Sequence, residues 1–494
     1  MTPKHLPVLA LVLMLIEEVK SWGWALLIMV VGLFKGGGLQ ALAGGLAILA
    51  LCLVLVGVRY GRFTYLLDVD AVTINTGLFV RKVRHIPYAK IQTVQRQQWF
   101  FLRPFHLESV TLETSGQEGK GGEAALYAVP LSVATAIEAR RHHPKPTEPT
   151  PAMAPQAAPA TPTGPSYRID AHDLNVFALT SLGFIPIITG MFWLIDKFTD
   201  LAPDSWQHTI DDQMAHLAVV LLAALVVIVL VIGLAASYLN ILQRYFHFTL
   251  TRTGETLTAT RGLFKTISVS VRLNRIQALR FKQSLLRQWC GLTTIQALTA
   301  SNAADDEKEN DLVMLPVVRT AASLATARRF VAWLPAIAPT LTMVAPTHRW
   351  YYVRNVIIGN LVWLVPGLVA VSIWLPSWLG WAGLGAVLWL VFFGAQAYNA
   401  ARQSGVAVAT ETILCVQTGS WWARERFYVR RANIQSLTVK DSVWLAHHNL
   451  GHLEVNVRAG DSNETLTVNY LPLATITEIL TWYQPAAPFL LATD

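Results

Sequence analysis

Apolar positions fall along this chain in two alternating regimes. Long unbroken apolar runs occupy 39–58, 176–195, 217–239 and 356–375, and 379–397 is a fifth charge-free stretch rich in Gly and Trp. A helix needs about 20 apolar residues to cross a bilayer, so each run predicts a span. The shorter run 22–34 is read as a sixth, because 39–58 needs an antiparallel partner. The spans group into hairpins over 22–58, 176–239 and 356–397. Upstream, the apolar stretch 6–16 is followed by Glu17, Glu18 and Lys20 with no small-residue cleavage pattern. An interfacial helix is expected there, not a signal peptide.

The second regime is polar with alternating apolar positions, over 63–142, 245–340 and 404–483. Val269, Val271 and Leu273 illustrate it: every second residue is apolar, as in a strand with one buried face. The three stretches repeat one another. Each opens on two strands about a glycine, Gly77, Gly262 or Gly419, and a later strand carries the same dipeptide, Ile91-Gln92, Ile276-Gln277 and Ile434-Gln435. From glycine to isoleucine is 14, 14 and 15 positions. The isoleucine is expected inward and the glutamine outward or toward a loop. A second glycine follows in copies two and three (Gly291, Gly451), where copy one has His106. Each copy then reaches a proline, Pro130, Pro316 or Pro472, lying 39, 40 and 38 positions past the isoleucine. An amphipathic helix is expected from the next residue, 131, 317 and 473 respectively, since proline is tolerated at a helix start.

These elements resemble the bacterial pleckstrin-homology (PH) domain family of YdbS/YdbT-like membrane proteins. The resemblance rests on Gly77-Leu78-Phe79 with Ile86-Pro87 and Ile91-Gln92, on Gly262-Leu263-Phe264 with Ile276-Gln277 and Gly291-Leu292, and on Gly419, Ile434-Gln435 and Gly451. Copy three departs in carrying Trp421-Trp422 instead of Gly-Leu. The resemblance implies a membrane α + β protein: three transmembrane hairpins of about six helices, alternating with three PH-like β-barrel or sandwich domains, each capped by a C-terminal helix. It implies no enzymatic activity, and it carries an expectation of a part in envelope-stress or antimicrobial-peptide tolerance. The expected organisation is an interfacial helix and first hairpin (1–58), first domain (63–142), linker (143–166), second hairpin (174–239), second domain (245–340), third hairpin (355–398) and third domain (404–483).

Composition narrows the function classes. Only 14% of the 494 residues are charged, against about 25% in soluble domains, which excludes a disordered chain and disfavours a soluble enzyme. Lys and Arg exceed Asp and Glu by 39 to 31. Arg59, Arg62, Arg168, Arg244, Arg349, Arg354 and Arg402 flank the hairpins, whereas the 196–215 loop is acidic. The positive-inside bias therefore puts both chain ends and all three domains on the cytoplasmic side, and the resemblance implies a bacterial inner membrane. Three scattered cysteines imply no disulfide framework. The Pro/Ala-rich stretch 143–166 predicts a semi-rigid extended linker, and the acidic stretch 301–311 a solvated hairpin tip.

No phosphate-binding loop, nucleophile elbow or zinc helix occurs, so no catalytic residue, cofactor or metal is expected. His447, His448 and His452 read as polar loop residues. Spans almost free of ionisable groups speak against transport, and the chief polar exceptions, Gln40, Asn360 and Gln396, are read as lying toward span ends or bonding across helices. Basic residues of the repeats, Arg81, Lys82, Arg84, Lys265, Arg272, Arg275, Lys282, Arg424 and Arg426, are expected to meet the membrane surface, where anionic phospholipid headgroups attract Lys and Arg. Nucleic acid is not expected. The resulting expectation is a scaffold or adaptor that binds a protein partner or its own copies beside the bilayer, with lipid handling as the alternative.

Overall fold

The computed structural model describes residues 3–23, 38–77, 80–114, 123–142, 164–181, 212–299, 311–460 and 462–484. Most of the spans expected at 22–34 and 176–195, the linker through 163 and the acidic tip through 310 lie outside them.

Repeat one comprises β1 (Lys4–His5), α1 (Ala10–Ser21), α2 (Gly38–Arg62), β2 (Thr64–Leu67), β3 (Ala71–Thr76), β4 (Lys82–Pro87), β5 (Ile91–Trp99), β6 (Leu107–Thr114), β7 (Glu123–Pro130) and α3 (Leu131–His142). Repeat two follows with β8 (Ser166–Arg168), α4 (Ala171–Thr180), α5 (Asp212–Tyr245), β9 (Thr249–Thr253), β10 (Thr256–Arg261), β11 (Lys265–Arg272), β12 (Ile276–Gln283), α6 (Leu285–Trp289), β13 (Leu292–Thr299), β14 (Asp311–Arg319) and α7 (Thr320–Phe330). Repeat three has β15 (Thr342–Met343), α8 (Arg349–Trp374), α9 (Leu379–Gln403), β16 (Gly405–Thr410), β17 (Ile413–Ser420), β18 (Ala423–Arg430), β19 (Ile434–Lys440), α10 (Val443–Ala446), β20 (Leu450–Ala459), β21 (Ser462–Pro472) and α11 (Leu473–Tyr483).

Among the described residues, α2, α5, α8 and α9 are long and apolar enough to cross a membrane. Helices α8 and α9 form the third hairpin, pinned by a hydrogen bond from Trp389 Nε1 to Asn360 Oδ1 at 2.8 Å. Each repeat also has a strand ahead of its membrane segment that the periodicity does not reveal. β1, β8 and β15, of only two or three residues, pair with β2, β9 and β16, the first strands after the helices. The chain leaves a sheet edge, enters the apolar helices and returns to the same edge, so each domain clamps both ends of its membrane insertion.

The turns explain where the copies differ. Gly262 has φ +114, and a Cβ there would lie 2.0 Å from Lys265 O; Gly77 is built the same way, 2.0 Å from Val80 O. Copy three instead turns on Trp421 and Trp422, both at positive φ, as hairpin turns of the mirror-image type require. Its Gly419 has another duty: a Cβ would sit 2.5 Å from Ala400 Cα, so glycine lets α9 pack on β17.

The second glycine site needs a correction. The left-handed position is His106 (φ 51) in copy one, Gly291 (φ 64) in copy two and Asn449 (φ 52) in copy three, not Gly451. The carbonyls of these three residues accept the backbone N–H of Leu131, Thr320 and Leu473, the first residue of each capping helix. Gly451 lies in β20 beneath α11, where a Cβ would meet Ile476 Cδ1 at 2.8 Å. In repeat two the helix starts at Thr320, not at 317, because Pro316 lies within β14, whose strand runs on to Arg319 opposite Leu292.

Candidate functional site

The isoleucines of the repeated dipeptide are all buried, and Gln277 and Gln435 are more open. Gln92 departs from the outward expectation: it is buried, and its carbonyl accepts Arg141 Nη2 at 2.6 Å. A seven-stranded sheet runs β7-β6-β5-β11-β10-β9-β8, and another β14-β13-β12-β18-β17-β16-β15. The dipeptide strand of one repeat therefore pairs with the third strand of the next. Three domains become one continuous structure through two seams, β5–β11 and β12–β18.

The seams differ in chemistry. In the first, Arg272 Nη2 donates to Arg141 O at 2.8 Å and Lys265 Nζ lies 5.5 Å from the Trp99 ring centre. The Arg141 guanidinium is pushed down to about 10 by burial, with Arg272 adding repulsion. In the second, Arg280 and Lys282 reach Glu425, and the apolar cores merge. Tyr428 and Cys415 of repeat three belong to the core of repeat two, and Phe281 meets Tyr428 edge-to-face at 5.2 Å. Burial pushes the Cys415 thiol up to about 12, so it is held as an inert thiol.

The connections after the seam strands reinforce them. Phe100 N donates to Phe264 O, Arg103 Nη2 to Leu263 O, and Gln288 Nε2 to Trp422 O. Each time, the segment following the seam strand holds the β-turn of the next domain.

The outer strands of the array remain. The first four-stranded sheet ends on β4 and the last sheet begins on β19; among the described residues neither has a second strand beside it. Near them stand exposed apolar side chains: Val80 at 71%, Val83 at 58%, Val443 at 76% and Trp444 at 84% of full exposure.

A half-open cavity of about 980 Å³ lies between the two sheets of repeat one and its membrane-side helices. Lys82, Arg84, Lys265, Arg59 and Lys20 line it together with Glu17, Glu18, Trp99 and Tyr127. Tyr127 Oη donates to Glu17 Oε2 at 2.8 Å. Burial, reinforced by the Glu17 carboxylate, raises the tyrosine pKa. A smaller cavity in repeat three lies among Tyr351, Trp444, His448, His452 and Tyr470.

The basic residues expected at the membrane surface thus divide. Lys82, Arg84 and Lys265 face the repeat-one cavity. Arg272 and Lys282 belong to the seams, and Arg426 donates to Gln417 Oε1 at 2.8 and 2.9 Å. Arg424 is half-buried with its pKa lowered by burial and by Arg426. Arg275 is partly buried and Arg81 exposed. Sequence reasoning missed Glu425 and Arg141; the only signal would have been an acidic residue inside a basic strand and an arginine at the end of a capping helix.

The comparisons with known proteins fit this architecture. A family model described as "Bacterial PH domain" matches residues 11–144, 213–334 and 330–487. The UPF0699 transmembrane protein YdbT of Bacillus subtilis (strain 168) is 28% identical over 265 residues, 52% of this chain and 54% of the relative. The chain thus spans about half the length of the curated relative it matches. No solved structure matches. With three matched segments that coincide with three PH-like repeats carried on membrane-length helices, the chain belongs to the bacterial PH domain family and is a membrane protein.

Proposed function

We propose that this protein is a non-enzymatic scaffold of the bacterial cytoplasmic membrane, with its PH-like domains and both chain ends on the cytoplasmic side, presenting a rigid surface to protein partners. The observation that carries this reading is the pair of strand seams. Backbone pairing and a shared core fix the spacing of three membrane-anchored domains, and a scaffold needs fixed spacing. Exposed strand edges with adjacent apolar side chains suit recruitment of a partner through strand addition.

The test is in-cell crosslinking followed by gentle-detergent purification and mass spectrometry. The expected result is an identified protein partner in stoichiometric amount, lost when Val443 and Trp444 are replaced by Ser. Recovery of the chain as an uncrosslinked monomer, alone or with phospholipid only, overturns the scaffold reading.

The repeat-one cavity favours a second reading, lipid handling. A cationic and aromatic lining next to the membrane helices suits an anionic headgroup. Anionic phospholipid that co-purifies with the intact chain and is lost in Lys82→Ala supports it; unchanged lipid content in that variant counts against it.

A further inference from the structure

We propose that copies of this protein assemble head to tail, β19 of one copy pairing antiparallel with β4 of the next. This rests on the scaffold reading and names the partner as a second copy of the same chain. β19 is the repeat-three counterpart of β5 and β12, and β4 is the repeat-one counterpart of β11 and β18. Within one chain these two kinds of strand join twice. Only at the two ends of the array does each kind lack the other, among the described residues. The unpaired surfaces are therefore complementary by the chain's own repetition.

The seams also dictate the register. Thr93 faces Val271 and Ala278 faces Val429, each pair lying two residues past the repeated isoleucine and one before the end of the third strand. Applied to the outer strands, the same rule sets Ser436 opposite Ile86, Leu437 opposite His85 and Val439 opposite Val83. Pro87, which has no N–H to donate, falls outside the pairing, as Arg272 and Arg430 do in the seams. Lys82 falls opposite Lys440, whose ammonium is held by Glu454 at 2.6 Å. One residue further, the exposed Asp441 meets the exposed Arg81. The connection carrying Val443 and Trp444 then reaches the turn of Val80, as Phe100 reaches Phe264 in the first seam.

The bilayer permits this arrangement. Each repeat hangs from the same end of its membrane segment, α2 leading into β2, α5 into β9 and α9 into β16. A copy added by the seam geometry keeps its helices on the same side. The contact is heterologous, so it propagates to a ring or a filament depending on whether the rotation closes. The opposing view is that Lys82, Arg84 and Lys440 guard these edges against pairing, as charged edge residues often do.

Disulfide trapping in native membranes decides between them. The full chain carries Cys290→Ser to remove the exposed thiol; Cys52 and Cys415 are buried. Val83→Cys and Val439→Cys are placed in one chain, or in two co-expressed, differently tagged chains. Directly opposed residues lie about 4.5–5.5 Å apart, within disulfide reach. The double variant is expected to give a ladder of dimers and higher species under mild oxidation. The two single variants together are expected to stop at a mixed dimer, and each alone to stay monomeric. Val83→Cys with Leu437→Cys, two residues out of register and about 8 Å apart, is expected to crosslink at least fivefold less. In a second test Arg81→Asp weakens the ladder and Arg81→Asp with Asp441→Arg restores it.

Monomer in every lane, or equal crosslinking by the shifted pair, overturns the proposal. If a different stoichiometric partner is nevertheless recovered from cells, the scaffold reading stands and self-assembly alone fails. If neither is found, both fail.

Discussion

Arg280 Nη2 donates to Glu425 Oε2 at 2.6 Å, joining β12 and β18 between residues 145 positions apart. Nε of the same guanidinium donates to that oxygen at 3.0 Å. Lys282 Nζ of the same strand lies 3.8 Å from Glu425 Oε1, and the group sits beside the merged cores of repeats two and three.

Removing the carboxylate takes from a mostly buried guanidinium the oxygen that accepts both of these bonds. Breaking such a pair costs about 3 kcal/mol. Glu425→Ala is expected to lower amide protection across β12 and β18 in hydrogen exchange by about a hundredfold, and Glu425→Gln, which keeps an acceptor oxygen, by less. Unchanged exchange in Glu425→Ala would show that the ion pair adds nothing to the seam.

The two seams should not open together. The second shares Phe281, Tyr428 and Cys415 in one core, whereas the first rests on backbone pairing, Arg272 to Arg141 O, the Lys265–Trp99 contact and the bonds of Phe100 and Arg103 to the next turn. Apolar burial supplies most of the free energy of such a junction. Amides of 93–99 and 265–271 are expected to exchange before those of 278–283 and 424–429, under conditions where the protein stays folded. The reverse order would place the weaker junction between repeats two and three.

The left-handed residue before each sixth strand gives a stability test. His106 and Asn449 take the conformation that glycine adopts in copy two, at a cost of about 1–2 kcal/mol for an ordinary side chain, which Asn offsets in part. His106→Gly is expected to stabilise repeat one by about 1 kcal/mol and His106→Val to destabilise it. Thermal unfolding in detergent reads both, and equal midpoints for the two variants would contradict the backbone argument.

His452 is expected to make the stability of repeat three pH-dependent. Its Nδ1 accepts the backbone N–H of Tyr470 at 3.1 Å, so the ring is neutral when that bond forms. Burial lowers its pKa below the ordinary 6.5; Glu454 opposes the shift and Lys440 adds to it. The unfolded chain therefore binds more protons between the folded-state value and 6.5. The stability that depends on the neutral ring is complete above about 6.5 and is lost as pH falls through 6.5 towards the folded-state value. His452→Asn is expected to flatten that slope in unfolding midpoints measured from pH 7.5 to 5; an unchanged slope would assign it to another group.

Gly419 tests how the third hairpin is seated. Gly419→Ala drives a methyl to 2.5 Å from Ala400 Cα, an overpacking that costs about 1–3 kcal/mol. The substitution is expected to raise exchange along β17 and the end of α9 while leaving repeat one unchanged. Protection as in the unsubstituted protein would mean that the helix shifts at no cost.

Much of this protein is legible in one dimension. Apolar run length marks α2, α5, α8 and α9, because a bilayer demands it of any spanning helix. Period-two alternation marks the repeat strands, and equal spacing from Gly262 to Ile276 and from Gly77 to Ile91 marks the repetition, because both are local properties of a half-buried strand. What the alternation does not encode is which strand lies along the hydrogen-bonding edge. The side chains of β5 would alternate in the same way beside a strand of their own domain or of the next, so the seams and the roles of Arg141, Glu425 and Asn449 escaped the pattern. Strands as short as β1, β8 and β15 cannot show a period at all. Backbone edges pair in space without a side-chain signature, and only the tertiary structure decides that three domains share their sheets.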